Sequence, residues 1–308
     1  MIEINEYINI RNVEQYILIT GNENGPLMLF LHGGPGVSQI GFIRKYQRKL
    51  EKDFLIVNWD QRGAGKSNTK KFSKDELTID NIVKDTISLI QMLLNRFEKN
   101  KLFLVGHSFG SLIGIFVSKK IPNFINAFIS IGQVVNIDKG DKITFNFLLK
   151  KFNNDNNQKG IEILRRIGAP PYIDKNKINE FNKLIRFYKG DLFKIPKMSF
   201  ILKSISFKYY NLFDWFKFLK GIIISNKYMY SEMNKINLFA KINSVDIPIY
   251  FCCGDNDYCT PTKLIEEYYN FITAPKKAIY KFKCSSHMPN VEEELCFYNM
   301  CKIIYKDN

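Results

Sequence analysis

Gly106-His107-Ser108-Phe109-Gly110 is the stretch whose residue types and spacing most directly suggest chemistry. It fits G-x-S-x-G. It stands between an apolar run, Leu102 to Val105, that predicts a strand, and Leu112 to Lys120, which predicts a helix ended by Pro122. A serine hydroxyl is a weak nucleophile at neutral pH and needs a base beside it. A turn sharp enough to expose that serine needs small flanking residues, and Gly106 and Gly110 supply them. His32-Gly33-Gly34-Pro35-Gly36 follows a second predicted strand, Leu27 to Leu31. A backbone N–H in this turn can point at a developing oxyanion, joined by the N–H of Phe109, the residue after the serine. Gly34 is the preferred donor and Gly33 the next, because Pro35 has no N–H to give.

The base follows by elimination among three histidines. His107 adjoins the serine, so its side chain is expected to point away from the site as a buried, satisfied group. His32 belongs to the glycine turn and is expected to brace it. His287, in Ser285-Ser286-His287-Met288-Pro289, lies after the last predicted strand, where a general base can be delivered. A carboxylate that orients the base is expected after the preceding strand, where Gly254-Asp255-Asn256-Asp257 offers two aspartates. A G-x-x-D reading selects Asp257, with Asp255 as a turn residue; Asp255 remains the alternative. Gly65-Lys66-Ser67 has the ending of a phosphate-binding loop, but Asp60 occupies the position where that loop needs its first glycine. Asp60 and Arg62 are expected instead to brace the loop after a strand.

The elements that must position these residues form an alternation of short apolar runs and longer amphipathic stretches, which predicts a parallel sheet covered by helices. Phe54 to Asn58, Phe124 to Ile131, Ile247 to Cys253 and Ala278 to Phe282 are further predicted strands. Thr78 to Phe97, Thr262 to Ile272 and Val291 to Tyr305 are further predicted helices. From about 138 to 240 the alternation stops, and the chain reads as helical and rich in Lys, Phe, Tyr and Asn. Between Asp138 and Lys241 the chain carries 21 basic and 9 acidic residues, a net +12 out of the formal +15 of the whole chain. Such an excess attracts polyanions or anionic lipid, but no nucleic-acid motif accompanies it. Its segment from Phe193 to Tyr230, basic and aromatic, could form an interfacial surface and give weak membrane association. No stretch of about 18 apolar residues is free of charge, so no membrane span is expected. The opening MIEINEY lacks the apolar run of a signal peptide. Six cysteines without a C-x-x-C, none at metal-ligand spacing from a histidine, read as mostly buried thiols in a reducing compartment, the cytoplasm.

HGGPG, WDQRGAGKS, GHSFGS, GDNDYCTP and SSHMP, in that order over residues 31 to 289, resemble the landmarks of the α/β-hydrolase superfamily and, more narrowly, of the proline iminopeptidase group of serine aminopeptidases. The resemblance implies an α/β fold with a mostly parallel central sheet flanked by helices and a helical cap inserted after the sixth strand. The catalytic domain would span 1–137 and 241–308, and the cap 138–240. It implies Ser108, Asp257 and His287 as a triad, and Gly34 and Phe109 as the oxyanion hole. No metal or organic cofactor is implied. Members of that group hold the substrate's free α-amine with cap glutamates, and Glu232 is the candidate here. The expected reaction is hydrolysis of an amide bond at the N-terminal residue of a small or short-peptide substrate. The alternative is an esterase, lactonase or amide hydrolase acting on a small apolar acyl compound. The cap aromatics Phe200, Phe207, Tyr209, Tyr210, Trp215 and Phe216 are expected to wall the pocket, some of them as cap core.

Overall fold

Apolar residues alternate with polar ones along IEINEYINI, and this segment is the first strand, β1 (Ile2–Ile10). It turns back through Arg11 and Asn12, whose φ angles of 48° and 65° suit a two-residue hairpin turn with positive φ at both positions, into β2 (Val13–Gly21). The sequence reading does not place this hairpin. The structure is a computed structural model and describes residues 1–69, 73–195 and 207–308. The remaining strands are β3 (Leu27–Leu31), β4 (Leu55–Trp59), β5 (Leu102–His107), β6 (Ile125–Ile131), β7 (Ile249–Gly254) and β8 (Lys277–Phe282). They form one eight-stranded sheet in the order β1-β2-β4-β3-β5-β6-β7-β8. Pairing is antiparallel at β1/β2 and β2/β4 and parallel from β4 onward.

The longer helices are α1 (Ile79–Arg96), α2 (Phe109–Lys120), α3 (Ile137–Asn154), α4 (Gln158–Ile167), α5 (Lys175–Phe187), α6 (Leu212–Asn234), α7 (Thr262–Phe271) and α8 (Glu294–Lys306). The single helix expected over Val291 to Tyr305 is divided at Glu293, which has non-helical backbone angles between a short helical turn and α8. Strands β3, β4 and β5 are buried along their whole length. Successive residues serve opposite faces of the sheet. Leu29 and Leu104 belong to one apolar cluster, Met28, Phe30, Phe103 and Val105 to another. A parallel sheet covered on both faces needs continuous apolar strands of this kind.

Between β6 and β7 the described residues contain α3 to α6 and no strand. An isolated bridge from Asn136 to Asn237 ties the entry of this helical segment to its exit. Part of the segment has its own apolar cluster, built on Leu148, Phe152, Leu164 and Phe181. Of the cysteines, Cys252, Cys253 and Cys301 are buried, whereas Cys259, Cys284 and Cys296 are exposed, so burial holds for half of them.

One buried ionic cluster clamps the loop after β4 to α1. Asp85 is fully buried on α1 and receives Nε of Arg62 at 2.7 Å and its Nη2 at 2.9 Å, Gln15 at 3.0 Å and Arg11 at 3.0 Å. Arg62 also reaches Glu76 at 2.7 Å. The bracing role expected of Arg62 is therefore met by charge pairing away from solvent. Asp85→Leu leaves the buried guanidinium with Glu76 alone and takes away its two bonds to Asp85, and a loss of about 3 kcal/mol is expected, read as a lower midpoint in urea unfolding. Arg62→Met added to Asp85→Leu should recover part of it. Equal losses in the single and double variants would show that the charge pair is not the cause.

Candidate active site

Ser108 stands between β5 and α2 with φ 53° and ψ −118°, a conformation that costs a non-glycine residue about 1–3 kcal/mol unless its surroundings impose it. Those surroundings leave no room for alternatives. A Cβ at Gly110 would lie 2.1 Å from the carbonyl oxygen of Leu31, and one at Gly106 would lie 2.4 Å from that of Gly110. The Ser108 N–H donates to Ile131 O at 2.9 Å, which ties the turn to the end of β6. The Phe109 N–H, first of α2, and the Gly34 N–H donate to no described acceptor. Gly33 packs onto the serine, since a Cβ there would come within 3.1 Å of Ser108 Cβ. The glycine turn is braced by His32, whose Nδ1–H donates to Gly33 O at 2.9 Å and whose Nε2 accepts the Gln61 N–H at 3.2 Å. Burial holds the pKa of His32 down at about 4, so the ring is neutral.

Asp257 and His287 arrive from the ends of β7 and β8. Asp257 is buried, and its Oδ2 accepts the His287 Nδ1–H at 2.9 Å and the Thr260 hydroxyl at 2.8 Å. Its Oδ1 accepts the N–H groups of Cys259 at 2.8 Å and Thr260 at 2.9 Å. Four donors thus fix the carboxylate. Asp255, the competing aspartate, is exposed and serves the turn through its N–H to Phe282 O. The bond at Nδ1 leaves His287 Nε2 as the unprotonated nitrogen. Burial lowers the affinity of this ring for a second proton, but the Asp257 carboxylate outweighs it and Asp191 adds to the effect, so the pKa of His287 stands above its ordinary value.

His107 does not turn away from the site as expected. Its ring lies 4.8 Å from that of His287, centre to centre, and lines the same cavity. Its Nε2–H donates to the backbone carbonyl of His287 at 2.9 Å, while burial, reinforced by His287, lowers its pKa to about 3. It is a satisfied neutral group, and what it satisfies is the backbone of the candidate base.

Two cavities meet at Ser108. One, of about 440 Å³, is lined by Gly33, Gly34, Ser108 and His287. The other, of about 190 Å³, is lined by Gly34, Ser108, Asp141, Tyr172, Phe181 and Tyr230. The Ser108 hydroxyl makes no hydrogen bond with a described residue. Glu232 lines neither cavity. Its carboxylate accepts the Ile79 N–H at 2.9 Å and so caps the start of α1, where the exposed N–H groups of a helix favour an anion. The carboxylate that lines the smaller cavity together with Ser108 is Asp141 on α3, a residue that sequence reasoning passes over. It has no hydrogen bond or ion pair with a described residue. Burial, with Asp138 adding, pushes its carboxyl up to about 7.

The aromatics expected to wall the pocket are placed elsewhere. Tyr210 is buried against Ser38 and Asp60, Tyr209 bonds Arg44 and Glu3, Trp215 packs on Tyr210, and Phe207 and Phe216 are exposed. Phe200 lies outside the described residues. The walls come instead from Tyr172, Phe181 and Tyr230. Folding also brings Asp257, Cys259 and His287 together, with one ligand-capable atom from each within 4.8 Å of the others, although the linear spacing of cysteines and histidines shows no such set.

The alpha/beta hydrolase fold is matched over residues 26–294. A probable aminopeptidase, YbaC, from Bacillus subtilis (strain 168) is 33% identical over 302 residues, covering 97% of this chain and 95% of that protein. A probable proline iminopeptidase from Leptolyngbya boryana is 34% identical over 104 residues, 34% of this chain and 30% of that protein. Among solved structures, proline iminopeptidase of Mycobacterium smegmatis superposes with a TM-score of 0.71 at 14% identity, with 98% of each chain covered. A proline iminopeptidase-related protein from Thermus thermophilus gives 0.68 at 17% identity, covering 99% of this chain and 97% of that one. These two carry the likeness of fold alone. A strand–turn–helix serine at the carboxyl edge of an eight-stranded, mostly parallel sheet, a match over most of the length and a near full-length relative together show that the chain belongs to the α/β hydrolase fold family.

Proposed function

We propose that the chain is a serine hydrolase that cleaves an amide bond at the N-terminal residue of a small or short-peptide substrate, as an aminopeptidase does. The observation that carries this is the meeting, in one cavity, of a serine on a strained turn and a histidine held at 2.9 Å by a buried aspartate. In this reading Ser108 Oγ attacks the substrate carbonyl and His287 Nε2 takes the hydroxyl proton. The two make no hydrogen bond with each other in this structure, and a contact of this kind commonly tightens only with substrate bound. Asp257 keeps the proton on Nδ1 and stabilises the imidazolium. The N–H groups of Gly34 and Phe109 receive the oxyanion. His287 then protonates the leaving amine, and water hydrolyses the acyl-enzyme. The helical segment between β6 and β7 acts as a cap that closes the acyl side of the site.

Asp141 is the group that would hold the substrate's α-ammonium. Free carboxylates set into a cavity wall are costly, and an arriving cation supplies the missing partner. Glu232 has its partner already in the N-terminus of α1.

Purified protein should take a fluorophosphonate label and hydrolyse aminoacyl chromogenic amides, with Ser108→Ala blank in both assays. Asp141→Asn should raise KM for the aminoacyl amide about tenfold or more while sparing short-chain esters, and Glu232→Gln should leave that preference intact. Ester turnover that dominates and ignores Asp141 would return the reading to an esterase, lactonase or amide hydrolase on an apolar acyl group.

Asp141 also links pH to stability. Its folded pKa of about 7 exceeds the unfolded 3.8, so the folded state holds the extra proton between these values and stability falls as pH rises through that window. Asp141→Asn should therefore unfold at a higher temperature than the parent at pH 8, with the gap gone near pH 4. An unchanged melting temperature at pH 8 would remove the uncompensated carboxylate.

For His287 the sign is opposite in activity. The neutral ring is the base and its pKa is raised, so kcat/KM should fall as pH drops through a value above 6.5. Asp257→Asn should cut kcat by about 10³–10⁴-fold and move that acid limb to lower pH. An unmoved limb would show that another group titrates.

A further inference from the structure

Helix α6 has two faces of unlike use. On the inner face Asp214, Gly221, Ser225, Met229 and Met233 are buried. A Cβ at Gly221 would lie 2.7 Å from Gly63 O, and Asn226 Nδ2–H donates to Pro35 O at 3.2 Å, so this face is seated on the loops around the glycine turn. On the outer face Leu212, Phe216, Leu219 and Ile223 are exposed by 73%, 75%, 58% and 60%, and Phe213 beside them by 67%. Spacings of four, three and four residues align these side chains in one stripe, roughly 16 Å long at 1.5 Å per residue. Solitary exposed apolar residues are ordinary, but a continuous row of large ones marks a surface that meets another. The row is edged by Lys220 and Lys227, both exposed and neither in an ion pair with a described residue. The only acids on the helix, Asp214 and Glu232, are turned inward to partners of their own.

We propose that this face of α6 is a docking surface for an anionic lipid bilayer. The stripe would enter the boundary between headgroups and acyl chains while the lysines meet the lipid phosphates. The charge of the whole segment from 138 to 241, +12, adds attraction of the same sign. A second copy of the chain is the poorer occupant, because it would bring the same lysine-edged face and the same net positive charge against its own. No described helix is long and apolar enough to cross a membrane, so the contact is with the surface. The aromatic, basic stretch from Phe193 to Tyr230 singled out in the sequence contains this helix; its residues 196–206 lie outside the described residues.

The test is co-sedimentation of the full chain with vesicles of mixed phosphatidylcholine and phosphatidylglycerol, and with vesicles of phosphatidylcholine alone. Binding to the mixed vesicles only is expected, weakened by salt. It should be lost in Phe216→Ser/Ile223→Ser and at least about tenfold weaker in Lys220→Glu/Lys227→Glu. Unchanged circular dichroism and thermal unfolding of these variants keep the comparison fair, since all four side chains are exposed. Absence of binding to the anionic vesicles overturns the proposal, as does equal binding by the serine variant. A dimer in sedimentation equilibrium that the serine variant converts to monomer assigns the stripe to a second copy instead.

Discussion

The close passage of the turn at Ser108 across the end of β3 is the constraint on which the rest depends. With Gly110 pressed onto the carbonyl of Leu31, the start of α2 and the glycine turn after β3 cannot move independently. The same contact therefore fixes where the serine projects and where the N–H groups of Gly34 and Phe109, which have no acceptor among the described residues, point. A substituent at Gly110 would disturb both together. Strain at Ser108 is the cost of this arrangement, and the buried apolar strands on either side offset it, since each large side chain they bury contributes about 1.5–3 kcal/mol.

Asp257 shows a second use of rigidity. Two backbone N–H groups and one hydroxyl, all from the four residues that begin at the aspartate, hold the carboxylate before it meets the imidazole. The histidine is held from its other side, where His107 and Asp191 fix its backbone carbonyl and N–H. Among the described residues, the serine hydroxyl is the side-chain group of the constellation left without a hydrogen bond. In the proposed reaction that division of labour would suit Ser108, whose hydroxyl would pass between base and carbonyl while its neighbours stay fixed.

How much of this is legible in the sequence depends on how local the cause is. The glycines at 106 and 110, the strand before them and the helix after them are consequences of short-range sterics, and the chain reads directly into them. β1 escapes because more than half of it is asparagine, glutamate and tyrosine, and its pairing with β2 rests on a two-residue turn without glycine. Glu232 looks available because nothing in Tyr230-Ser231-Glu232-Met233 says that the start of a helix 153 residues earlier will take its carboxylate. Asp141 is overlooked for the converse reason. It sits among Asp138, Lys139 and Lys142 on an ordinary polar helix, and only the packing of α3 over the serine makes its lack of a partner visible. The cap aromatics mislead in the same way: Tyr210 is consumed by Asp60, and the pocket is lined by Tyr172, Phe181 and Tyr230 from other turns of the same segment.

Asp60 and Asp141 together show why the unpartnered group is the informative one. Both carboxylates are desolvated, and burial raises the pKa of both, to about 6 and about 7. Asp60 is surrounded by donors from Ser38, Tyr210 and the backbone of Lys66, so the chain itself accounts for its presence. It joins the loop after β4 to the segment that leads into α6. Asp141 has no such account within the described fold, and it lines the smaller of the two cavities that meet at Ser108. Asp141 thus carries, in the wall of a cavity that Ser108 also lines, a desolvation cost of the kind a bound cation would offset. The same logic separates the two faces of α6: the inner face is explained by the loops it covers, whereas the row of exposed apolar side chains on the outer face has no such account among the described residues.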